Sequence, residues 1–330
     1  MMRERRDVVV GVDTSNYTTS LGVVDAANGE LLYDVRRVLT VGPGERGLMQ
    51  SAALFQHVQS LPELLVHLQK AGVDAGWNVR AVGVSERPRD LEGSYMPVFE
   101  AGVLAAHALA AGTDAAVVRT THQAGHVAAG IATSSMAREQ GEAFIVLHLS
   151  GGTTDVLRGT MGAPGFDLRT VAEGLDLHVG QFVDRVGVRL GLPFPSGPHL
   201  ERLAGEWDGP APAIPSAVRA GRPSFSGPLS AAFRLIERGA PAAAVAAAVQ
   251  RTIATTVEKM IRCAKEQTGV VPVLLVGGVA SNQAIRQRLG ERFRQGSDAT
   301  GPLYFCAPRF SSDNAFGVAL MARESMLANC

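Results

Sequence analysis

Short apolar runs alternate with polar turns in two separate parts of the chain. Residues 8–12 are four valines and a glycine, residues 13–19 are polar, and residues 20–24 return to apolar character, which predicts a β-hairpin. Residues 144–149 and 150–157 repeat the same order of strand, polar turn and strand. The similarity of the two predicted hairpins indicates an internal duplication.

Helical and strand-like segments then alternate along the rest of the chain. The pattern predicts helices over 48–70, 95–111, 122–133, 178–190, 241–267, 282–294 and 313–327, and strands over 31–38, 79–85, 115–119, 271–276 and 303–306. Residues 193–198 are predicted to form a loop, and residues 205–228, which are rich in glycine and proline, an irregular segment. Because strands alternate with helices, the predicted fold class is α/β.

Three turns rich in glycine, serine and threonine each follow a buried strand, at residues 13–19, 150–154 and 277–282. Glycine lets the backbone N–H groups of such turns approach a phosphate closely. One turn of this kind is usually no more than a hairpin turn. Three of them in an α/β chain predict the actin-like ATPase (ASKHA) fold, in which two lobes, each a mixed sheet flanked by helices, hold a nucleotide between them.

The composition excludes several classes of protein. A hydrophobic fraction of 46% excludes a disordered chain, and 31 basic against 31 acidic residues exclude a general positive field. Only three of the basic residues are lysines and none lies in a glycine-rich loop, so a Walker-type P-loop is absent. Three scattered cysteines, and no apolar stretch near the roughly 18 residues of a membrane span, lead us to expect a soluble cytoplasmic protein.

Two histidines at helical spacing form a second candidate for chemistry. His122 and His126 are four residues apart, so both imidazoles can meet one metal ion, although two histidines on a helix surface have the same spacing. Residue 123 is glutamine, so the general base of a His-Glu-x-x-His metallopeptidase is missing. Asp313 is the candidate third ligand, and its position at the start of a predicted helix equally suits an N-cap.

The length suggests about two domains. We expect residues 1–120 and 308–330 to form an N-terminal lobe, with the metal site at its edge. Residues 121–307 are expected to form a C-terminal lobe that carries the nucleotide-binding turns, with a cleft between the two lobes.

Eight short motifs occur in a fixed order along nearly the whole chain. They are residues 11–15, the pair His122 and His126, residues 150–154, Gly180 with Asp184, and residues 195–198, 224–227, 277–282 and 312–314. Each motif is weak alone, but the ordered set resembles the TsaD family of tRNA threonylcarbamoyltransferases, formerly described as glycoproteases. The resemblance implies the actin-like fold with a nucleotide between the lobes.

The resemblance also implies a cofactor, a substrate and partners. His122, His126 and Asp313 match the ligands of a divalent metal, iron or zinc. The family moves a threonylcarbamoyl group from threonylcarbamoyl-AMP, which derives from ATP, to N6 of adenosine 37 in tRNAs reading codons that begin with A. It works with TsaB-like and TsaE-like proteins. The expected binding residues are His148, Leu149, Ser150, Gly151, Gly152, Asp184, Gly197, Gly277, Gly278 and Asn282, and the candidate catalytic residues are Asp13 and Ser150.

Several positions depart from the family pattern. The acidic pair of the first turn is replaced by Tyr17 and Thr18, and the histidine of the second turn by Thr153. A Gly-Pro-Gly-Leu segment of the family reads Arg-Pro-Arg-Asp at residues 87–90, Gln181 replaces a glutamate, and a lysine after Ser-Phe-Ser-Gly is missing. We therefore expect a divergent paralogue.

Three functions stay open at this point. The first is transfer to tRNA, for which the neutral chain would need a local basic rim. The second is a carbamoyltransferase with a small-molecule acceptor, and the third is a non-catalytic nucleotide-binding paralogue that serves as a complex subunit. Whether the protein is a dimer is also open. Six arginines could supply the basic rim that tRNA would need: Arg87, Arg89, Arg286, Arg288, Arg292 and Arg294.

Overall fold

A first five-stranded mixed sheet occupies the beginning of the chain. The computed structural model describes residues 5–42, 45, 47–137, 139–163, 165–269, 272–294 and 301–328. In chain order the strands of this sheet are β1 (Arg6–Ser15), β2 (Thr18–Asp25), β3 (Leu31–Val38), β4 (Trp77–Arg87) and β5 (Ala116–Thr121). They lie in the order β3-β2-β1-β4-β5. Strands β1, β2 and β3 are antiparallel neighbours, and β4 and β5 continue the sheet parallel to β1.

A second five-stranded sheet has the same plan. Its strands are β6 (Ala143–Leu149), β7 (Thr154–Met161), β8 (Phe166–Glu173), β11 (Val273–Val276) and β12 (Leu303–Phe305), while β9 (Ala217–Arg219) and β10 (Arg222–Ser224) form a separate small hairpin. The order β12-β11-β6-β7-β8, with two antiparallel and two parallel pairings, mirrors that of the first sheet. The shared topology supports the duplication that the two hairpins suggested.

Helices flank both sheets. They are α1 (Gln50–Ala75), α2 (Phe99–Thr113), α3 (His122–Thr133), α4 (Val179–Arg189), α5 (Gly197–Ala204), α6 (Ser226–Glu237), α7 (Ala242–Thr268), α8 (Gln283–Arg294), α9 (Pro308–Ser311) and α10 (Phe316–Ala328), with a 3₁₀ turn at Gly278–Ser281. Among the described helices none is long and apolar enough to cross a bilayer. The α/β class predicted from the sequence is therefore confirmed.

Helices α3 and α10 pack closely against one another and bring distant segments together. A Cβ atom on Gly317 would overlap the carbonyl oxygen of Gly125, so this approach requires glycine at position 317. Helix α10 also packs on β1 and β4. One continuous buried cluster joins residues of both sheets to α10, including Val9, Val146 and Phe316. This packing fixes the end of α3 that carries His122 beside the start of α10.

Three predictions about local structure were wrong. Strand β8 was missed, the predicted loop at 193–198 runs into helix α5, and the segment predicted to be irregular contains the β9–β10 hairpin and ends in helix α6. Helix α10 begins at Phe316, so Asp313 precedes the helix instead of opening it. The other predicted helices and strands are present, with ends displaced by a few residues.

Candidate metal centre and nucleotide cleft

Helix α3 presents two imidazoles on one face. The helix begins at His122 because the preceding residue, Thr121, is extended and caps it. The hydroxyl of Thr121 accepts a hydrogen bond from the N–H of Ala124 at 3.1 Å. One turn later comes His126, and the Nε2 atoms of the two histidines lie 3.1 Å apart. The two nitrogens therefore converge on one point.

Asp313 completes this group from the other end of the sequence. Its Oδ1 lies 3.4 Å from Nε2 of His122 and 3.5 Å from Nε2 of His126. Its Oδ2 accepts the hydroxyl of Ser15 at 2.8 Å, which fixes the carboxylate plane. The side-chain oxygen of Asn314 accepts a hydrogen bond from the N–H of Gly317 at 3.3 Å. Asn314 thus takes the capping role that the sequence also allowed for Asp313.

The three donor atoms fit a divalent ion. A first-row metal bound at about 2.0–2.1 Å holds neighbouring N or O ligands roughly 3.0–3.4 Å apart in octahedral or tetrahedral geometry. The separations of 3.1, 3.4 and 3.5 Å match this triangle closely. Two imidazoles and one carboxylate are also a donor set that suits iron or zinc. The residues present therefore fit the metal that the resemblance implied.

Asp13 supports this centre from behind. Its Oδ1 lies 2.9 Å from Nδ1 of His122 and also accepts the hydroxyl of Ser85. Asp13 is fully buried at the end of β1, so its contacts are shielded from water. A carboxylate that accepts the second N–H of a ligating histidine fixes the ring orientation and tautomer. The structure thus places the candidate catalytic Asp13 against the imidazole.

The electrostatics of the cluster favour a cation. Burial alone would lower the pKa of His122, but the carboxylates of Asp13 and Asp313 raise it to about 10. The pKa of His126 is lowered by burial and by the neighbouring His122. Burial would raise the pKa of Asp313, yet its hydrogen bonds to both histidines hold this pKa well below its usual range. The carboxylate of Asp313, whose pKa is held low, therefore attracts positive charge at the point where the imidazoles converge.

His148 lies next to the centre, on the buried strand β6. Its ring centroid is 4.9 Å from that of His126, and burial lowers its pKa well below the ordinary value, so the ring is neutral. Its Nδ1 lies 3.4 Å from the amide nitrogen of Gln123. Within the described part of the chain, its buried Nε2 has no hydrogen-bond partner. The expected substrate-binding histidine therefore borders the candidate metal site directly.

A polar chain leads from His148 to the surface. The amide of Gln123 also approaches Asp155, at 3.4 Å, and the buried Asp155 pairs with Arg89 at 3.2 Å. The same guanidinium nitrogen binds Glu173 at 2.7 Å. Arg89 follows β4 of the first sheet, whereas Asp155 and Glu173 belong to β7 and β8 of the second. Sequence reasoning missed this link because the three residues are far apart in the chain.

The turn at residues 150–153 is held beside the start of α4. The N–H of Ser150 donates to the carbonyl of Thr153 at 2.9 Å, and the N–H of Gly180 donates to the carbonyl of Ser150 at 3.1 Å. A Cβ on Gly180 would meet the backbone of Gly151 at 2.6 Å, so glycine is needed for this approach. The N-terminus of a helix favours an anion, which suits a phosphate near Ser150, Gly151 and Gly152.

Among the remaining expected binding residues, Gly277 lies against the end of β6, the strand that leads into this turn. Gly277 adopts a φ of 94° next to the backbone of Leu149, and Gly278 opens the 3₁₀ turn that follows. Asn282 accepts the N–H of Ile285 at 3.0 Å and so caps α8. Asp184 accepts the N–H of Ser196 at 2.8 Å, directly before Gly197, and burial raises the pKa of Asp184 to about 6.

Tyr17 connects the two groups of residues. Its ring centroid lies 5.3 Å from that of Phe194, and its ring edge approaches Gly151. Burial raises the pKa of Tyr17, and the carboxylates of Asp184 and Asp313 add to this effect. The side chain therefore lies within the electrostatic reach of both the candidate metal centre and Asp184.

Comparison with solved structures identifies the fold. The chain aligns over 98% of its length with half (48%) of HypF from T. kodakarensis, with a TM-score of 0.59 and 16% identity. It aligns over 96% of its length with 99% of a ROK family glucokinase from Streptomyces griseus, with a TM-score of 0.51 and 15% identity. These similarities, together with the two related mixed sheets, confirm the actin-like ATPase fold.

Comparison with sequences identifies the family. The tRNA N6-adenosine threonylcarbamoyltransferase of Methanopyrus kandleri is 32% identical over 94% of this chain and 86% of its own length. The tRNA N6-adenosine threonylcarbamoyltransferase of Aeropyrum pernix is 28% identical over 98% of this chain and 88% of its own length. A probable bifunctional tRNA threonylcarbamoyladenosine biosynthesis protein of Thermoplasma volcanium is 26% identical, and this chain spans 56% of its length. The family model for tRNA N6-adenosine threonylcarbamoyltransferase matches residues 43–320, and the chain therefore belongs to the TsaD family.

Proposed function

We propose that this protein transfers the threonylcarbamoyl group of threonylcarbamoyl-AMP to N6 of adenosine 37 in tRNA, in the cytoplasm. His122, His126 and Asp313 would hold one divalent metal, iron or zinc. TsaB-like and TsaE-like proteins would be its partners. The observation that carries the proposal is the convergence of three donor atoms within 3.1–3.5 Å of one another in a chain of this family.

The bound metal would supply Lewis acidity toward an oxygen of the adenylate. Asp13 would keep His122 in the tautomer that directs Nε2 toward the metal, and Ser15 would hold Asp313 in place. The positive end of the α4 helix dipole, which lies beside the turn at residues 150–153, would favour the adenylate phosphate. These groups would bind and orient the donor substrate before the acceptor arrives.

The transfer itself does not need a protein nucleophile. The adenosine nitrogen would attack the carbamoyl carbon, the bond from that carbon to the phosphate oxygen would break, and AMP would leave with the electron pair. The proton lost by the nitrogen would pass to the released AMP. AMP is already a good leaving group, and a preorganised site needs chiefly to hold the two reactants together. Ser150 would then contact the donor without acting as a nucleophile.

A second candidate is a carbamoyltransferase with a small-molecule acceptor. The contact between Tyr17 and Phe194 narrows the space beside Gly151, where the family pattern has an acidic side chain instead of Tyr17. Less space and no carboxylate would suit a smaller acceptor. A non-catalytic subunit would keep the nucleotide contacts without any transfer.

One assay separates the three functions. The protein is incubated with threonylcarbamoyl-AMP labelled in its threonyl group, with TsaB-like and TsaE-like partners and with tRNA, and label is followed on tRNA, on added small acceptors and on the nucleotide. We expect label on tRNA that is lost in His122→Ala and Asp313→Ala. The matched control is His107→Ala, since His107 is exposed on α2 away from the centre. Label on a small acceptor alone would favour the second candidate, and label left on the nucleotide alone would favour the third.

A further inference from the structure

A groove between α7 and α8 lies outside the site described above. It encloses about 560 Å³ and is lined by four basic side chains, Lys259 and Arg262 from α7 and Arg288 and Arg292 from α8. Among the described residues, two carboxylates line the same groove, those of Glu258 and Glu291. Four positive and two negative charges leave it with a net charge of +2.

Two of the four cations pair with a carboxylate, whereas the other two bind neutral oxygens. The carboxylate of Glu258, which is 12% exposed, forms ion pairs with the guanidinium groups of Arg262 and Arg292, each at 3.0 Å. Arg288 instead donates to the hydroxyl of Thr255 at 3.1 Å, and Lys259 to a backbone carbonyl at 3.3 Å. Neutral partners orient these two side chains without cancelling their charge. Both charges therefore stay available to an anion.

One donor in the groove also lacks an acceptor. The Nε atom of Arg262 is buried and has no hydrogen-bond partner among the described residues. A buried donor without an acceptor is unfavourable, and more so when it belongs to a charged group. Because this atom has no exposed surface, it would reach an anionic oxygen in the groove only if the Arg262 side chain turned toward the groove. The groove thus combines excess positive charge with an unused hydrogen-bond donor.

Two arginines of the groove lie along α8, beyond that end of the helix which follows Gly277 and Gly278. Helix α8 begins directly after Asn282, and at 1.5 Å per residue Arg288 lies about 9 Å and Arg292 about 15 Å farther along the axis. The two arginines are one helical turn apart, and their partners on α7, Thr255 and Glu258, are three residues apart. The basic groups therefore form a row that starts near the nucleotide turns, which suits a ligand with regularly repeated anionic groups.

Three other arginines of the predicted rim make their contacts elsewhere. Arg87 pairs with Asp90, and Arg89 with Asp155 and Glu173. Arg286 donates to the backbone carbonyl of Cys306 and lies over the ring of Phe305 at 5.1 Å. The side chain of Arg294 lies outside the described residues. Of the arginines singled out in the sequence, Arg288 and Arg292 line this groove.

We propose that the groove between α7 and α8 binds the phosphodiester backbone of a nucleic acid whose acceptor base occupies the cleft. That the nucleic acid is tRNA rests on the proposed function. Free phosphate and mononucleotides share the same charge, but they would leave most of a row of donors unused. A backbone with successive phosphates engages the groove along its length.

The test is equilibrium binding of fluorescently labelled tRNA to the full chain between 50 and 200 mM salt. Lys259→Gln with Arg288→Gln removes the two charges that have neutral partners. We expect tRNA affinity to fall at least fivefold at the lower salt, and the slope of log K against log salt to become shallower by about 1.5–2. Arg288→Lys, which keeps the charge, should retain most of the affinity.

The matched control is Arg80→Gln with Arg189→Gln, which removes the same net charge from side chains that are 55% and 52% exposed and distant in sequence. If both double variants lose the same affinity, the effect is one of overall charge and the proposal fails. Unchanged affinity and slope in Lys259→Gln with Arg288→Gln also overturn it. So does displacement of tRNA by equimolar AMP or inorganic phosphate, which would make the groove a small-anion site. Because binding is measured without transfer, an inactive protein that still binds tRNA here would contradict the proposed function alone.

Discussion

The carboxylate of Asp13 lies 2.9 Å from Nδ1 of His122, on the side of the ring opposite the nitrogen that faces Asp313. Asp13 ends β1 and His122 begins α3, 109 residues later. This contact connects the core of the first sheet to the candidate metal centre. It implies that the orientation of one ligand depends on a residue that does not face the metal.

The first prediction follows from this contact. Asp13→Asn would lose the charge that orients His122 and strengthens it as a ligand, so we expect zinc affinity to fall about 10- to 100-fold. Competition with a chromophoric chelator measures this affinity directly. Asp25→Asn is the matched control, because Asp25 is also a nearly buried carboxylate of the same sheet but pairs with Arg6. Equal affinities in the wild type and Asp13→Asn would contradict the positioning role.

The second prediction concerns the contact between α3 and α10. Gly317→Ala would place a methyl group against the carbonyl of Gly125, so the helices must separate. We expect a loss of about 1–3 kcal/mol in the free energy of unfolding, as for overpacked cores, together with weaker metal uptake. Urea denaturation with and without zinc gives both quantities. Gly112→Ala, in α2, has open space at its Cβ and should be neutral or slightly stabilising.

The third prediction concerns the ion pair that joins the two sheets. Arg89→Ala would leave the buried carboxylate of Asp155 without its cation, and we expect a loss of about 1–3 kcal/mol in unfolding free energy. Burial raises the pKa of Asp155 while Arg89 opposes that rise, so the loss should be larger at pH 8 than at pH 5. In an Asp155→Asn background the same change should have a much smaller effect. Additive effects of the two substitutions would show that the pair is not coupled.

The fourth prediction is a pH dependence at Asp184. Burial raises its pKa from 3.8 to about 6, so the ionised form is unfavourable in the folded state. Stability from this group is full below pH 4 and is lost as the pH rises through 6. Asp184→Asn, which can still accept the N–H of Ser196, should therefore stabilise the protein at pH 8 by at most about 3 kcal/mol and leave it nearly unchanged at pH 4. A stability difference that is constant across this range would refute the assignment.

Much of the fold could be predicted from the sequence because its central strands are continuous apolar runs. Strands β1, β6 and β11 are largely buried, and each contains a continuous apolar run, at residues 8–12, 143–147 and 273–276. Strand β8 was missed because it is an edge strand in which apolar and polar residues are mixed and no such run occurs. Helix α6 was missed because Gly227 and Pro228 fall in its first turn, where proline is in fact tolerated.

The candidate site was predictable only in part. The spacing of His122 and His126 showed that their imidazoles share a helix face, but the competing roles of Asp313 could be separated only by seeing that Asn314 takes the capping position. The contacts of Asp13 with His122 and of Arg89 with Asp155 join residues whose separation in the sequence has no periodicity. Such contacts depend on how helices and sheets pack, and no local pattern encodes them.

The central claim is tested most directly by the product nucleoside. The metal-loaded protein, together with its TsaB-like and TsaE-like partners, is mixed with synthetic threonylcarbamoyl-AMP and unmodified tRNA, the tRNA is digested, and the nucleosides are identified by mass spectrometry. The account predicts threonylcarbamoyladenosine at position 37 with the wild type and none with His126→Ala. Unmodified adenosine in every sample, with a protein shown to contain metal and to bind tRNA, would contradict it.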